Sequence, residues 1–573
     1  MTQEEGRLVF YDTESSGVDR DYDQIYQLAA IETDLDLNPI QGREANLICR
    51  PRRDVVPSPE AFLVHKLDID ALISNGMSEY ELAKRVRNLF RAAPATGIMG
   101  YNNFAYDDEM VRRLLFRNGL PPYEHEFKDG NYRADIYGLV RMVYAFRPEI
   151  LSWPTGQDGE VSLKLEDLSN ANGFSHENAH EALSDVRATI QVAKAVKESN
   201  PRLWQYFLSM TNKEHALTML RKQEPLMYVS SFINRAFRHS TMVCPLIAHP
   251  TNSNAMICVD LRYDPTDLLS MSEDELRRYL FTPQHKLEEN APHVPLINIA
   301  ANKQPIIVPT NQILTPDLAS QVALDVDRCV QHQREVLADP GFRARAQKAF
   351  ESTLPVQPDA GATIYSGGFL SRGDQSLQAR QHVVDQESAS RDLPYLVTRS
   401  AFENTASMSD SARQFQLTLR TRWNSFGTDV LQMALRKNDG PAKALSPNEL
   451  HCYSQYLSQR LHAPETFGNG LSLEDAYQAL DRLSMERPLT GEEVDILEKL
   501  KDHYETLERT CERFKVLSNS YAPLEARRAE AENSDSVARI MDYMERRGLV
   551  GTPAPSAEAP QDHEPTESMS PGG

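Results

Sequence analysis

Two carboxylates, Asp12 and Glu14, stand two residues apart at the end of the apolar run RLVFYDTE, residues 7–14. In a β-strand, period-two alternation places both on one face. Two hard oxygen donors converging at a strand end suit Mg²⁺ or Mn²⁺. Solvated strand-end charge gives the same pattern, because Asp-x-Glu recurs by chance in an acidic chain. Asp107 follows GYNNFAY, where a strand runs into a helix, and a carboxylate at such a switch projects over the sheet edge. Its neighbours Asp108 and Glu109 fit favourable charge in a first helical turn. Asn102 and Asn103 either position a ligand or satisfy the turn backbone. In SHENAHEALSDVRAT (175–189) five positions separate His180 from Asp185, roughly 140° around a regular helix. The two share a site if His180 enters from the loop or first turn and Asp185 lies one turn further in. Capping or packing is the alternative for His180, and the reading kept for His176.

The elements that must position these residues alternate along the first 200 positions. Strand patterns cover 7–14, 25–34 and 46–50, a helix 80–92, and a strand 97–102. Helical periodicity then recurs over 105–118, 134–146 and 180–198. This is an α/β domain with a central mixed sheet, expected over 1–200. Asn200-Pro201 marks a break. Five short apolar runs between 225 and 310, separated by turn signals, predict a β-rich domain, and helices return over 315–351, so the second unit is set at 201–355. Polar sequence around 353–368 reads as a linker, 356–548 as a helical domain, and 549–573 as a disordered acidic tail.

Composition narrows the function classes. The 573 residues carry a net charge of −21, split as −11 over 1–200, zero over 201–355 and −10 over 356–573. Such a balance argues against indiscriminate duplex binding, which needs clustered Lys and Arg. The middle segment is the least repulsive to a polyanion, and carboxylates that hold divalent metal are partly neutralised. No apolar run approaches the roughly 20 residues that span a bilayer, and the N-terminus lacks a signal-peptide pattern. The six scattered cysteines read as reduced core thiols of a cytoplasmic protein.

The order strand-end Asp-x-Glu, then Asn-x-x-aromatic-Asp, then His-x₄-Asp resembles the DEDDh exonucleases, the superfamily of proofreading nucleases and RNase T. GYNNFAYDDEMVRR, YAFRPEILSWP, LKLEDLSNANGFSHENAHEALSDVRATI and NPRLWQYF further resemble the bacterial exodeoxyribonuclease I family, as do the later SGGFLS (366–371) and LRTRWNSFG (419–427). The resemblance spans residues 7–525 and weakens after 430. It implies an RNase H-like exonuclease domain, an SH3-like β domain and a helical domain enclosing a channel for single-stranded DNA. It also implies 3′→5′ hydrolysis to 5′-mononucleotides, in DNA repair and recombination, with two Mg²⁺ ions per site and Mn²⁺ able to substitute.

On that resemblance Asp12, Glu14 and Asp185 hold one ion, Asp107 helps hold the second through water, and His180 is the general base. Glu14, Lys164, Arg112, Tyr123, Phe127 and Arg141 match positions that contact the DNA strand. Core packing remains open for Tyr123 and Phe127, and a solvated helix face for Arg112 and Arg141. Arg147 and Tyr206 match positions that bind the acidic tail of the single-strand DNA-binding protein, and the chain is expected to be a monomer. The first motif departs from the family in reading DTES where DYET is common, but the carboxylates are present. Two rivals remain at this stage. An RNA 3′-trimming enzyme is disfavoured by the sequence after residue 200, and a decayed binding module by the full set of carboxylates and histidine.

Overall fold

A computed structural model of the chain describes residues 6–118, 120–156, 159–174, 182–351, 364–365, 454, 457–464 and 470–516. The apolar runs at the start become β1 (Leu8–Ser15) and β2 (Ile25–Thr33), paired antiparallel with Asp12 opposite Ala29 and Glu14 opposite Gln27. β2 is buried along its whole length because helices cover both faces of the sheet. β3 (Pro39–Ile48) begins seven residues before the segment expected from sequence. It is an exposed edge strand, so burial imposes no alternation on most of it. β4 (Gly97–Gly100) and β5 (Tyr132–Asp135) lie parallel to β1, giving a mixed sheet ordered β3-β2-β1-β4-β5.

The helices around this sheet are, in chain order, α1 (Pro59–His65), α2 (Ile69–Asn75), α3 (Glu79–Phe90), α4 (Asp107–Arg117), α5 (Glu124–Phe127), α6 (Ile136–Phe146), α7 (Leu165–Asn172) and α8 (Ala182–Ser199). β5 corrects the expectation of one helix over 134–146. Ala134 and Asp135 are strand, and the Asp135 carboxylate accepts from Tyr137 N at 3.0 Å to cap α6. The two faces of β1 meet different helices. Val9 and Tyr11 pack with α3 and α4, whereas Leu8 and Phe10 share a core with α6 and α8. Asp12 and Glu14, even-numbered like Leu8 and Phe10, therefore face α8.

Asn200 caps α9 (Pro201–Ser209), which with α10 (Lys213–Arg221) leads into a second sheet. Its strands β6 (Leu226–Val229), β7 (Ser240–Ala248), β8 (Ala255–Asp260), β9 (Leu296–Ala300) and β10 (Ile306–Pro309) match the five apolar runs. They are antiparallel in the order β10-β6-β7-β8-β9. Buried residues of α6 and of this sheet belong to one continuous core, and Gln304 donates to Phe207 O and accepts from Asp135 N, both at 3.0 Å.

Toward the C-terminus, helices cover 457–462, Leu473–Glu486 and 491–516. They close a separate core against the first domain, in which Leu457, Leu500, Tyr504 and Phe514 meet Tyr22, Tyr26, Phe62 and Leu72. The Tyr504 hydroxyl donates to Pro57 O at 2.6 Å within this contact. Most of the expected linker, the remainder of the expected helical domain and the tail lie outside the described residues. The five described cysteines are buried and unpaired, and Cys452 is not among the described residues. No described helix is long and apolar enough to cross a membrane.

Candidate active site

β1 pairs with β4 only through Leu8, Val9 and Phe10, so its last residues lack that ladder. The turn that starts α4 takes its place. Thr13 N donates to Asp107 Oδ1 at 3.0 Å and the Thr13 hydroxyl donates to the same oxygen. The Tyr11 hydroxyl donates to Asp108, and Ser15 Oγ and the Tyr106 hydroxyl are 2.8 Å apart. The chain reaches this turn through Gly100, where a Cβ would stand 2.8 Å from Asn103 Cβ and 3.0 Å from Tyr11 O. Asn102 follows at φ 62°, a left-handed conformation that Asn tolerates, and its N–H is fixed by Asp135 Oδ1 at 2.8 Å. Asn102 and Asn103 thus brace the turn.

On the opposite face of β1, Asp12 and Glu14 meet Asp185 from the first turn of α8. One carboxylate oxygen from each lies within 4.8 Å of the other two, and all three residues are half-buried. Burial pushes Asp12 well above the usual carboxylate range, and the charges of Asp107, Glu14 and Asp185 add to it. Glu14 is pushed up to about 8 by burial and by Asp185 and Asp107. Burial raises Asp107 to about 7 against the lowering effect of its Thr13 hydrogen bond. Like charges this close resist joint ionisation unless a cation compensates them. A compact set of hard oxygen donors fits a divalent metal of the Mg²⁺ or Mn²⁺ class. Asp107 is electrostatically coupled to this group but stands apart from its converging oxygens, held by Thr13. His180 and His176 lie outside the described residues.

Beside Asp107, at Phe104 and Glu109, begins a groove of about 1180 Å³ that runs between the first domain and the second sheet. Arg112, Tyr123 and Phe127 line it, and Phe127 is 66% exposed. Arg112 is not the solvated helix cation that its sequence position also allowed. Its guanidinium binds Glu126 through two nitrogens at 2.6 and 2.9 Å, reaches Glu109 at 2.6 Å and lies over the Tyr123 ring. Asp108 stands in the first turn of α4, where it is 1% exposed and paired with Arg133.

The groove also takes Lys213, Asn254 and Lys303 from beyond residue 200, and Tyr365, whose hydroxyl donates to Glu109. Sequence reasoning missed these four. Nothing local marks them, because only the folding of distant parts of the chain brings them to this face of the first domain. The remaining expected contacts are more dispersed. Lys164 is exposed at the start of α7, tied to the end of β4 by the Tyr101 hydroxyl donating to Leu163 O. Arg141 lies 4.4 Å over the Tyr137 ring. Arg147 is exposed after α6, and the Tyr206 hydroxyl donates to Ile307 O at 2.7 Å, joining α9 to β10.

The family described as Exonuclease matches residues 9–193, and the Exonuclease I SH3-like domain matches 211–352. The chain is 39% identical over 373 residues to exodeoxyribonuclease I of Haemophilus influenzae, covering 64% of this chain and 78% of that protein. With the Escherichia coli protein of the same name it is 34% identical over 398 residues, covering 69% and 82%. Among solved structures, a moderately thermophilic exonuclease I from Methylocaldum szegediense superposes with a TM-score of 0.76 at 31% identity, over 87% of this chain and 99% of that one. The zinc-bound E. coli exonuclease I–single-stranded DNA complex gives 0.76 at 28% identity, over 88% and 100%. An SSB/exonuclease I structure with the inhibitor CFAM gives 0.72 at 28%, over 88% and 100%.

Proposed function

The chain belongs to the exodeoxyribonuclease I family, and from that premise we propose that it hydrolyses single-stranded DNA from the 3′ end and releases 5′-mononucleotides. The observation that carries this reading is the convergence of Asp12, Glu14 and Asp185 within 4.8 Å, next to a groove walled by arginines and aromatic rings. Such a groove suits a single strand, with cations for phosphates and ring faces for bases.

Asp12, Glu14 and Asp185 would hold one Mg²⁺ and Asp107 would help hold a second, with Mn²⁺ able to substitute. Bound there, the ions supply charge to the scissile phosphate and lower the pKa of an attacking water. His180 would take the proton from the attacking water as general base. Glu14 also meets the terminal nucleotide. Lys164, Arg112 and Arg141 neutralise phosphates, while Tyr123 and Phe127 stack on bases. Because Arg112 is already bound by Glu126 and Glu109, a phosphate reaching it competes with two carboxylates, which favours a precisely placed strand over any polyanion. Arg147 and Tyr206 are proposed to take the acidic tail of the single-strand DNA-binding protein, in keeping with the similar SSB/exonuclease I structure. The role would lie in DNA repair and recombination.

The test uses single-stranded DNA, duplex DNA and RNA, each labelled at the 3′ or the 5′ end, incubated with Mg²⁺ or EDTA. Mononucleotides should appear from the 3′ end of single-stranded DNA, with Mg²⁺ alone. Absence of metal-dependent release from every substrate would sink the enzyme reading, and preference for RNA would redirect it to RNA trimming.

A further inference from the structure

Three consecutive residues at the start of α4 hold three alternate residues of β1: Tyr106 holds Ser15, Asp107 holds Thr13, and Asp108 holds Tyr11. The three strand residues share one face, and Asp12 and Glu14 sit between them on the other. This pinning begins where the β1–β4 ladder stops, at Phe10. The Thr13 amide, which a neighbouring strand would otherwise satisfy, is satisfied by the Asp107 side chain. The metal-binding end of β1 is therefore held on the β4 side by side chains rather than by a ladder.

Asp107 already has a role in the proposed reaction; Tyr11 and Asp108 have none. Asp108 is 1% exposed, and a carboxylate persists at such a site only when charge and hydrogen bonds compensate it. The Tyr11 hydroxyl, Asn103 Nδ2 at 3.1 Å and the Arg133 guanidinium do so. Arg133 also binds Glu126 at 3.0 Å, and Glu126 is chelated by Arg112 in the groove wall. A file of alternating charges thus runs from the Tyr11 hydroxyl, on the residue before Asp12, to the groove wall that would meet DNA.

We propose that Tyr11, Asp108 and Arg133 are a positioning set. They fix the metal-carrying end of β1 against α4 and, through Glu126 and Arg112, register it to the groove. The proposal rests on the exonuclease reading above, and concerns geometry rather than contact with substrate. Catalytic carboxylates displaced by an ångström lose far more in turnover than in binding.

Tyr11→Phe keeps the ring, which packs edge-on to Phe90 with centroids 5.0 Å apart, and removes only the hydroxyl. Turnover should fall about ten- to a hundred-fold. KM for a 3′-labelled single strand, and the affinity for that strand in EDTA, should stay within about twofold. Mn²⁺ affinity, measured by calorimetry without DNA, should weaken. Arg133→Lys, which keeps the charge, should retain more turnover than Arg133→Met. The proposal is overturned if Tyr11→Phe leaves turnover and Mn²⁺ affinity unchanged. It is overturned equally if turnover falls only with the folded fraction and the two Arg133 variants are equivalent. If the unaltered chain releases no mononucleotide, the exonuclease reading fails, and Mn²⁺ calorimetry on Tyr11→Phe still decides the positioning role.

Discussion

Within the acidic cluster, individual residues carry separable burdens. Asp185→Asn removes one of three crowded charges, so Mn²⁺ affinity should drop at least about tenfold. In EDTA the same variant should melt no lower than the unaltered chain, because it relieves repulsion that adds to burial in raising Glu14. Calorimetry and thermal melting check the two signs independently; a lower melting point in EDTA would show that Asp185 has a structural role. His180→Ala should cut turnover by orders of magnitude and leave single-strand affinity largely intact, and near-normal turnover would remove His180 from catalysis. The carboxylates were legible in the sequence because period-two spacing and their chain order fix which side chains share a face. The Arg112 pairing was not, since Glu126 is fourteen positions away and reaches it only after α4 and α5 fold together.

At the scale of elements, the turn between β4 and α4 sets where Asp107 stands. Gly100→Ala would press a methyl group against Asn103 and the Tyr11 carbonyl, at 2.8 and 3.0 Å. It should destabilise the chain by about 1–3 kcal/mol in chemical denaturation and lower turnover as the turn shifts. Unchanged stability would mean that the turn gives way without strain. The sequence showed β1, β2 and the five strands of the second sheet because each is an apolar run bounded by turn residues. It concealed β5, four residues running directly into the helix that Asp135 caps. It also concealed most of β3, whose exposed edge position leaves its polar residues free of any pattern.

Across the whole molecule, the C-terminal helices dock on the nuclease side through a shared core that includes Tyr504. His503, beside it, is 8% exposed, neither ring nitrogen has a hydrogen-bond partner among the described residues, and burial pushes its pKa down to about 4. The unfolded chain takes up that proton near pH 6.5, whereas the folded chain resists until about pH 4. Stability from this group is thus full above about 6.5 and falls as the pH drops toward 4. At pH 5 the loss is about 2 kcal/mol. His503→Leu should therefore narrow the gap in melting temperature between pH 8 and pH 5, and an unchanged gap would show that His503 is protonated at no cost when folded. That docking was not readable from sequence, because its two halves lie at opposite ends of the chain.

The hydrogen bond from Tyr504 to Pro57 spans 447 positions. A ribosome adding roughly 5–20 residues per second needs on the order of a minute to make the second partner after the first. For the latter part of that interval, once residues 1–200 have been made, Tyr22, Tyr26, Phe62 and Leu72 lack the apolar surface that later covers them. The nascent chain thus carries a temporary sticky face, and any stop or cleavage that removes residues 457–516 would make that face permanent.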